Sequence, residues 1–116
     1  ASVEYKVSSN GSTVVETMFS GTPHEMVNVY HDKAGKLAMT HYCSVGNQPH
    51  LELAAMEGKT LSFSLSPEDT AHLANEGHMH DLKITMADSG HLKQDWSFFE
   101  KGQQGGMTTF DLVRVQ

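Results

Sequence analysis

Apolar and polar residues alternate with a period of two along almost the whole chain, and turn-forming residues interrupt the alternation at short, even intervals. Ser2–Ser8 reads as a strand ending at Asn10-Gly11, two residues that tolerate positive φ and so favour a hairpin. Thr13–Phe19 follows, β-branched and apolar, stopped by Ser20-Gly21-Thr22-Pro23. Glu25–His31 and Lys36–Cys43 flank a turn at Asp32-Lys33-Ala34-Gly35, and Pro49–Met56 and Lys59–Leu65 flank one at Glu57-Gly58. Ser66-Pro67-Glu68-Asp69 then breaks the rhythm. A capping serine, a first-turn proline and two acids predict a short helix through Thr70–Asn75, ended by Gly77. Met79–Ala87, His91–Glu100 and Met107–Val115 complete the chain, with a glycine-rich turn at Gly102–Gly106 before the last strand.

About nine short strands in up-and-down order with one short helix predict an all-β, antiparallel barrel or strongly curved sheet. Closure would remove exposed edges, and a barrel of this size leaves room inside for one small ligand. The predicted inward faces carry unusual residues. His41 and Cys43 share a face with Leu37 and Met39, and His78 and His80 lie in phase with Leu82, Ile84 and Met86. Glu16 lies in phase with Val14 and Met18, which leaves its facing open.

Composition narrows the classes. The chain has 116 residues, enough for a single domain spanning 1–116 but not for two cores. Its formal charge of −6, with no basic run to offset it, argues against nucleic acid or an anionic membrane as partner. No apolar run approaches a bilayer-spanning length. The single cysteine excludes an intramolecular disulfide, so the fold rests on packing. The chain begins at Ala1 rather than Met, and strand-like alternation starts at once at Val3, Tyr5 and Val7, which predicts a missing upstream segment. Removal of a leader would imply a periplasmic or secreted protein; otherwise the cytoplasm is the expected compartment.

The segments TMFSGTPHEM (Thr17–Met26), THYCSVGNQP (Thr40–Pro49), GHMH (Gly77–His80) and QDWSFFE (Gln94–Glu100) together resemble a group of uncharacterised bacterial lipocalin-like proteins that carry a domain of unknown function. The resemblance covers most of the chain and implies a calycin-type β-barrel, not an activity. Members of that group usually begin with a Gly-x-Trp-type first strand that this chain lacks. The resemblance therefore implies a barrel open on one side, or one completed by a partner chain as a homodimer.

Three functional expectations follow. The first is a barrel that binds a small, largely apolar molecule, with His41, Cys43, Asn47, Gln48, His78, His80, Trp96, Phe98 and Arg114 as candidate lining. Arg114, in phase with Phe110 and Leu112, could hold a carboxylate or sit at a solvated strand tip. The second is a metal centre, zinc or iron, on His41, His78 and His80, with Cys43 or Glu16 as further ligands, serving an enzyme or a metal carrier. The third is a structural or assembly module whose polar interior only fixes the fold. Cys43 beside His41 lacks the context of any cysteine-enzyme signature, and no phosphate loop, dinucleotide fingerprint or nucleophile elbow is present. His24, His31, His50, His72 and His91 are expected at the surface, and Glu68 and Asp69 as helix N-terminal charges.

Overall fold

The computed structural model of the protein describes residues 2–115. Within them the chain forms β1 (Val3–Ser8), β2 (Thr13–Met18), β3 (Met26–Lys33), β4 (Lys36–Tyr42), β5 (His50–Glu57), β6 (Thr60–Leu65), α1 (Pro67–His72), β7 (His78–Asp88), β8 (His91–Glu100) and β9 (Gln103–Val113). All nine strands belong to one antiparallel sheet in sequence order, as the alternating pattern predicts. The sheet curls into a half-barrel. Two of its hairpins turn on residue pairs with positive φ, Ala34-Gly35 (54° and 82°) and Lys101-Gly102 (52° and 77°), the geometry that matches strand twist in two-residue loops.

Register lays the concave face out in rows. Val7, Val14, Tyr30, Met39, Leu51 and Leu65 oppose one another across β1 to β6. On the other side, Trp96 opposes Leu82, and Leu82 opposes Phe63. Met18, Met39, Leu51, Phe63, Leu82 and Trp96 form the buried centre of this core. Each such side chain contributes about 1.5–3 kcal/mol through burial.

The outer strands β1 and β9 do not pair with each other. Side chains bridge the seam instead. The Gln94 amide of β8 donates to the Tyr5 hydroxyl at 2.8 Å, and Phe19 meets Phe110 edge-to-face at 5.6 Å between centroids.

Three details depart from the sequence expectation. The last strand starts at Gln103, not Met107, and the glycines lie inside it. A register shift opposite Phe98/Phe99 absorbs one residue there, and the Phe98 ring lies against Gly105. The helix is as short as expected but ends at His72 rather than near Asn75, and its cap residue Ser66 makes no side-chain capping bond. Asp69 is not a solvated helix charge but is buried, and its carboxylate accepts from the His50 backbone N–H at 2.7 Å and contacts His50 Nδ1 at 2.9 Å. It ties α1 to the start of β5.

Candidate functional site

The row next to the apolar one is polar. Tyr5 opposes Glu16, Glu16 opposes Asn28, and Asn28 opposes His41, so four adjacent strands each place one polar side chain at the same level. Glu16, Asn28, His41 and Gln94 are buried, and Tyr5 is half-exposed at the seam. Period-two alternation alone makes this row. The residues take the inward positions of Met18, Met26 and Met39 in their own strands, so the fold cannot turn them to solvent without turning the methionines out as well.

Glu16 is the main acceptor of the cluster. Tyr30 donates its hydroxyl to Oε1 at 2.7 Å, and Asn28 Nδ2 donates to the same oxygen at 2.9 Å. The Gln94 amide donates to Oε2, and the Tyr5 hydroxyl bonds the carboxylate as well. A second tier feeds these donors. Trp96 Nε1 donates to Gln94 Oε1 at 3.0 Å, and His41 Nδ1 meets Asn28 Oδ1 at 2.5 Å. Since the Asn28 amide nitrogen is spent on Glu16, its oxygen must accept, and His41 carries its proton on Nδ1. Nε2 is then left with a bare lone pair. It is buried and has no hydrogen-bond partner among the described residues.

The charge distribution follows from burial. Desolvation, reinforced by the negative charge of Glu16, pushes the Tyr30 and Tyr5 hydroxyls well above the ordinary tyrosine value, so both stay protonated donors. Burial lowers His41 from 6.5 to about 4, which keeps its imidazole neutral at ordinary pH. Among the described residues no cation is bonded to the cluster. Neutral donors alone surround the carboxylate, an arrangement that costs desolvation energy and that an apolar side chain of similar size would avoid.

Beside this cluster, between the β1–β2 and β3–β4 hairpins, an open cleft of about 540 Å³ is floored by Val14, Tyr30 and Leu37 and edged by Ser12, His31 and Asp32. The volume lies within the range typical of small-molecule sites. Tyr30 belongs to both features: its ring lines the cleft and its hydroxyl is bonded to Glu16. A smaller cleft, about 310 Å³, is lined by Phe63, Leu82 and Met107 together with polar residues such as Ser64 and Asp81.

Of the residues singled out in the sequence, the structure brings His41 and Trp96 together, with ring centroids 4.7 Å apart. It does not bring His78 and His80 to them. A register shift between Met79 and Asp81 inserts one residue into β7, so Met79, not His78, shares the inward face with Leu82 and packs on the core. His78 and His80 instead contact each other at 3.2 Å, and His80 stacks on Phe99 at 4.1 Å between centroids. Burial lowers the His80 pKa, Asp81 opposes that shift, and His78 adds to it. The three-histidine metal centre expected from simple alternation therefore does not form. Among the described residues no group of three or more His, Cys, Asp or Glu side chains is placed to hold a metal ion.

The remaining candidates lie elsewhere. Cys43 is half-buried in a turn, its N–H donating to Asn47 O at 3.0 Å. Asn47 latches that turn to the segment before β7, donating to Gly77 O at 2.8 Å and to Glu76 Oε1 at 3.0 Å. Gln48 is exposed and bonds Gly46 O. Phe98 packs against Gly77. Arg114 is exposed just beyond β9, where its N–H donates to Gly90 O. Asn28, Tyr30 and Tyr5, central to the cluster, carry no histidine or cysteine chemistry that marks them in the sequence. The signal was the phase they share with Glu16 and the methionines.

Compared with family models, curated proteins and solved structures, the chain matches none. No helix of the described residues is long and apolar enough to cross a membrane.

Proposed function

We propose that the half-barrel binds a small, largely apolar molecule that carries one hydroxyl or N–H group, in the manner of a lipocalin-like carrier. The molecule enters through the cleft floored by Val14, Tyr30 and Leu37, and its donor reaches His41 Nε2. The observation that carries this reading is that buried, unpaired lone pair, at the end of the hydrogen-bonded chain that runs from His41 through Asn28 to Glu16. A ligand donor there completes the chain from His41 through Asn28 to the carboxylate, while Val14 and Leu37 in the cleft hold the apolar remainder of the molecule. Selectivity arises because a guest without a donor leaves the imidazole unpaired.

The test uses Trp96, the only tryptophan, whose indole sits against His41 and bonds Gln94. The protein is titrated with 1-decanol and with decyl methyl ether, which differ in the hydroxyl donor, while Trp96 emission is followed. The alcohol is expected to bind more tightly by about tenfold, the worth of one hydrogen bond to a buried group. His41→Phe is expected to bind both equally. No saturable change with either compound overturns the proposal.

A further inference from the structure

We propose that two copies of this chain associate through β1, which forms an antiparallel pair with β1 of the second copy about a two-fold axis at Tyr5. The backbone prepares this edge. The Ser2 carbonyl accepts from Phe19 N, so Ser2 and the residues in phase with it, Glu4 and Lys6, direct their peptide groups at β2. Val3, Tyr5 and Val7 then direct theirs outward, and no strand of the described residues accepts them. A bare edge of this kind templates a further strand.

The side chains specify which strand. The run Val3-Glu4-Tyr5-Lys6-Val7 is complementary to itself when read backwards about its centre. In that register Tyr5 meets Tyr5 of the second copy, Val3 meets Val7, and Glu4 meets Lys6 on both sides of the axis. The hydrogen-bonded positions are the Val and Tyr positions. The Glu–Lys pairs fall at the non-hydrogen-bonded positions, where opposing side chains approach most closely. Glu4 and Lys6 are exposed, as are large parts of Tyr5 and Val7. The opposite edge, β9, has no such symmetry and carries one charged residue, Asp111. A closed two-fold contact uses each edge once and stops, whereas pairing β1 to β9 would propagate. The contact is a single strand pair, so the dimer is reversible and favoured by low salt.

The test is sedimentation velocity on the full chain from micromolar to millimolar concentration. Lys6→Glu faces Glu4 with a glutamate, and Glu4→Lys faces Lys6 with a lysine. Each is expected to weaken the dimer by about tenfold or more, two attractive pairs becoming repulsive. An equimolar mixture of these two variants is expected to form the mixed dimer, and the double variant carrying both changes is expected to dimerise with itself as well as the wild type does. Because both side chains face solvent, thermal unfolding should be unchanged at low concentration, which separates lost pairing from lost folding. A wild type that stays monomeric throughout, or a dimer indifferent to Lys6→Glu, overturns the proposal.

Discussion

Lowering the pH from 7 to 4 should remove about 3 kcal/mol of stability through His41 alone. In the folded protein burial holds this imidazole at a pKa of about 4, against 6.5 for an exposed histidine. Between those two values the unfolded chain binds a proton that the folded chain refuses, so acid drives the equilibrium toward unfolding. The loss begins as pH falls below 6.5, proceeds at roughly 1.4 kcal/mol per pH unit, and levels off near pH 4. Against a typical stability of about 5–15 kcal/mol, that is a large share for one side chain. The assay is urea unfolding at half-unit intervals of pH, on wild type and on His41→Gln, which keeps a donor for Asn28 Oδ1 but does not titrate. Carboxylates and the other histidines contribute equally to both proteins and cancel in the difference. The difference curve should slope between pH 6.5 and 4 and be flat above 7. A difference that is flat throughout would show that His41 is solvated, and with it the buried network would fall.

Glu16→Gln should cost roughly 2–4 kcal/mol, because an amide can accept from only some of the donors now aimed at the carboxylate. In the same variant, spectrophotometric titration should show tyrosine ionising at lower pH than in the wild type, since the charge that holds Tyr5 and Tyr30 up is gone. Gly77→Ala would place a methyl 2.5 Å from the Phe98 ring and should cost about 1–3 kcal/mol, with most of the loss recovered in a Phe98→Leu background, read by thermal unfolding. Phe63→Ala, at the fully buried centre of the core, should cost about 3–5 kcal/mol in urea unfolding without altering the far-ultraviolet spectrum.

The strands and turns were legible because alternation and positive-φ residues are local signals. Asn10-Gly11 and the Ser66-Pro67 helix start illustrate this: each lies where the sequence pattern places it. The site was legible only in part. His41 and Trp96 stood out on inward faces and do meet, yet the group that organises them, Glu16, sat in a strand whose facing the pattern left open. Its partners Gln94 and Tyr5 lie on β8 and β1, and only the curl of the sheet brings them to it. His78, though buried, and His80 do not join His41 for a different reason. One inserted residue reverses the phase of β7, and an alternation count has no term for an insertion that the neighbouring strand alone reveals.

The meander also orders how the molecule is built. Each strand pairs only with its sequence neighbours, so hairpins can zip one after another with short loops to close. The bonds from Gln94 to Glu16 and Tyr5 are different, spanning 78 and 89 residues, and they cannot exist until the finished sheet bends upon itself. Glu16 therefore can take its bonds from Asn28 and Tyr30 when β2 and β3 pair, but that from Gln94 only when the sheet closes. The same step is the first to reverse. Amide exchange should find β1 and β9 opening ahead of the middle strands, with the carboxylate rehydrated each time the seam parts.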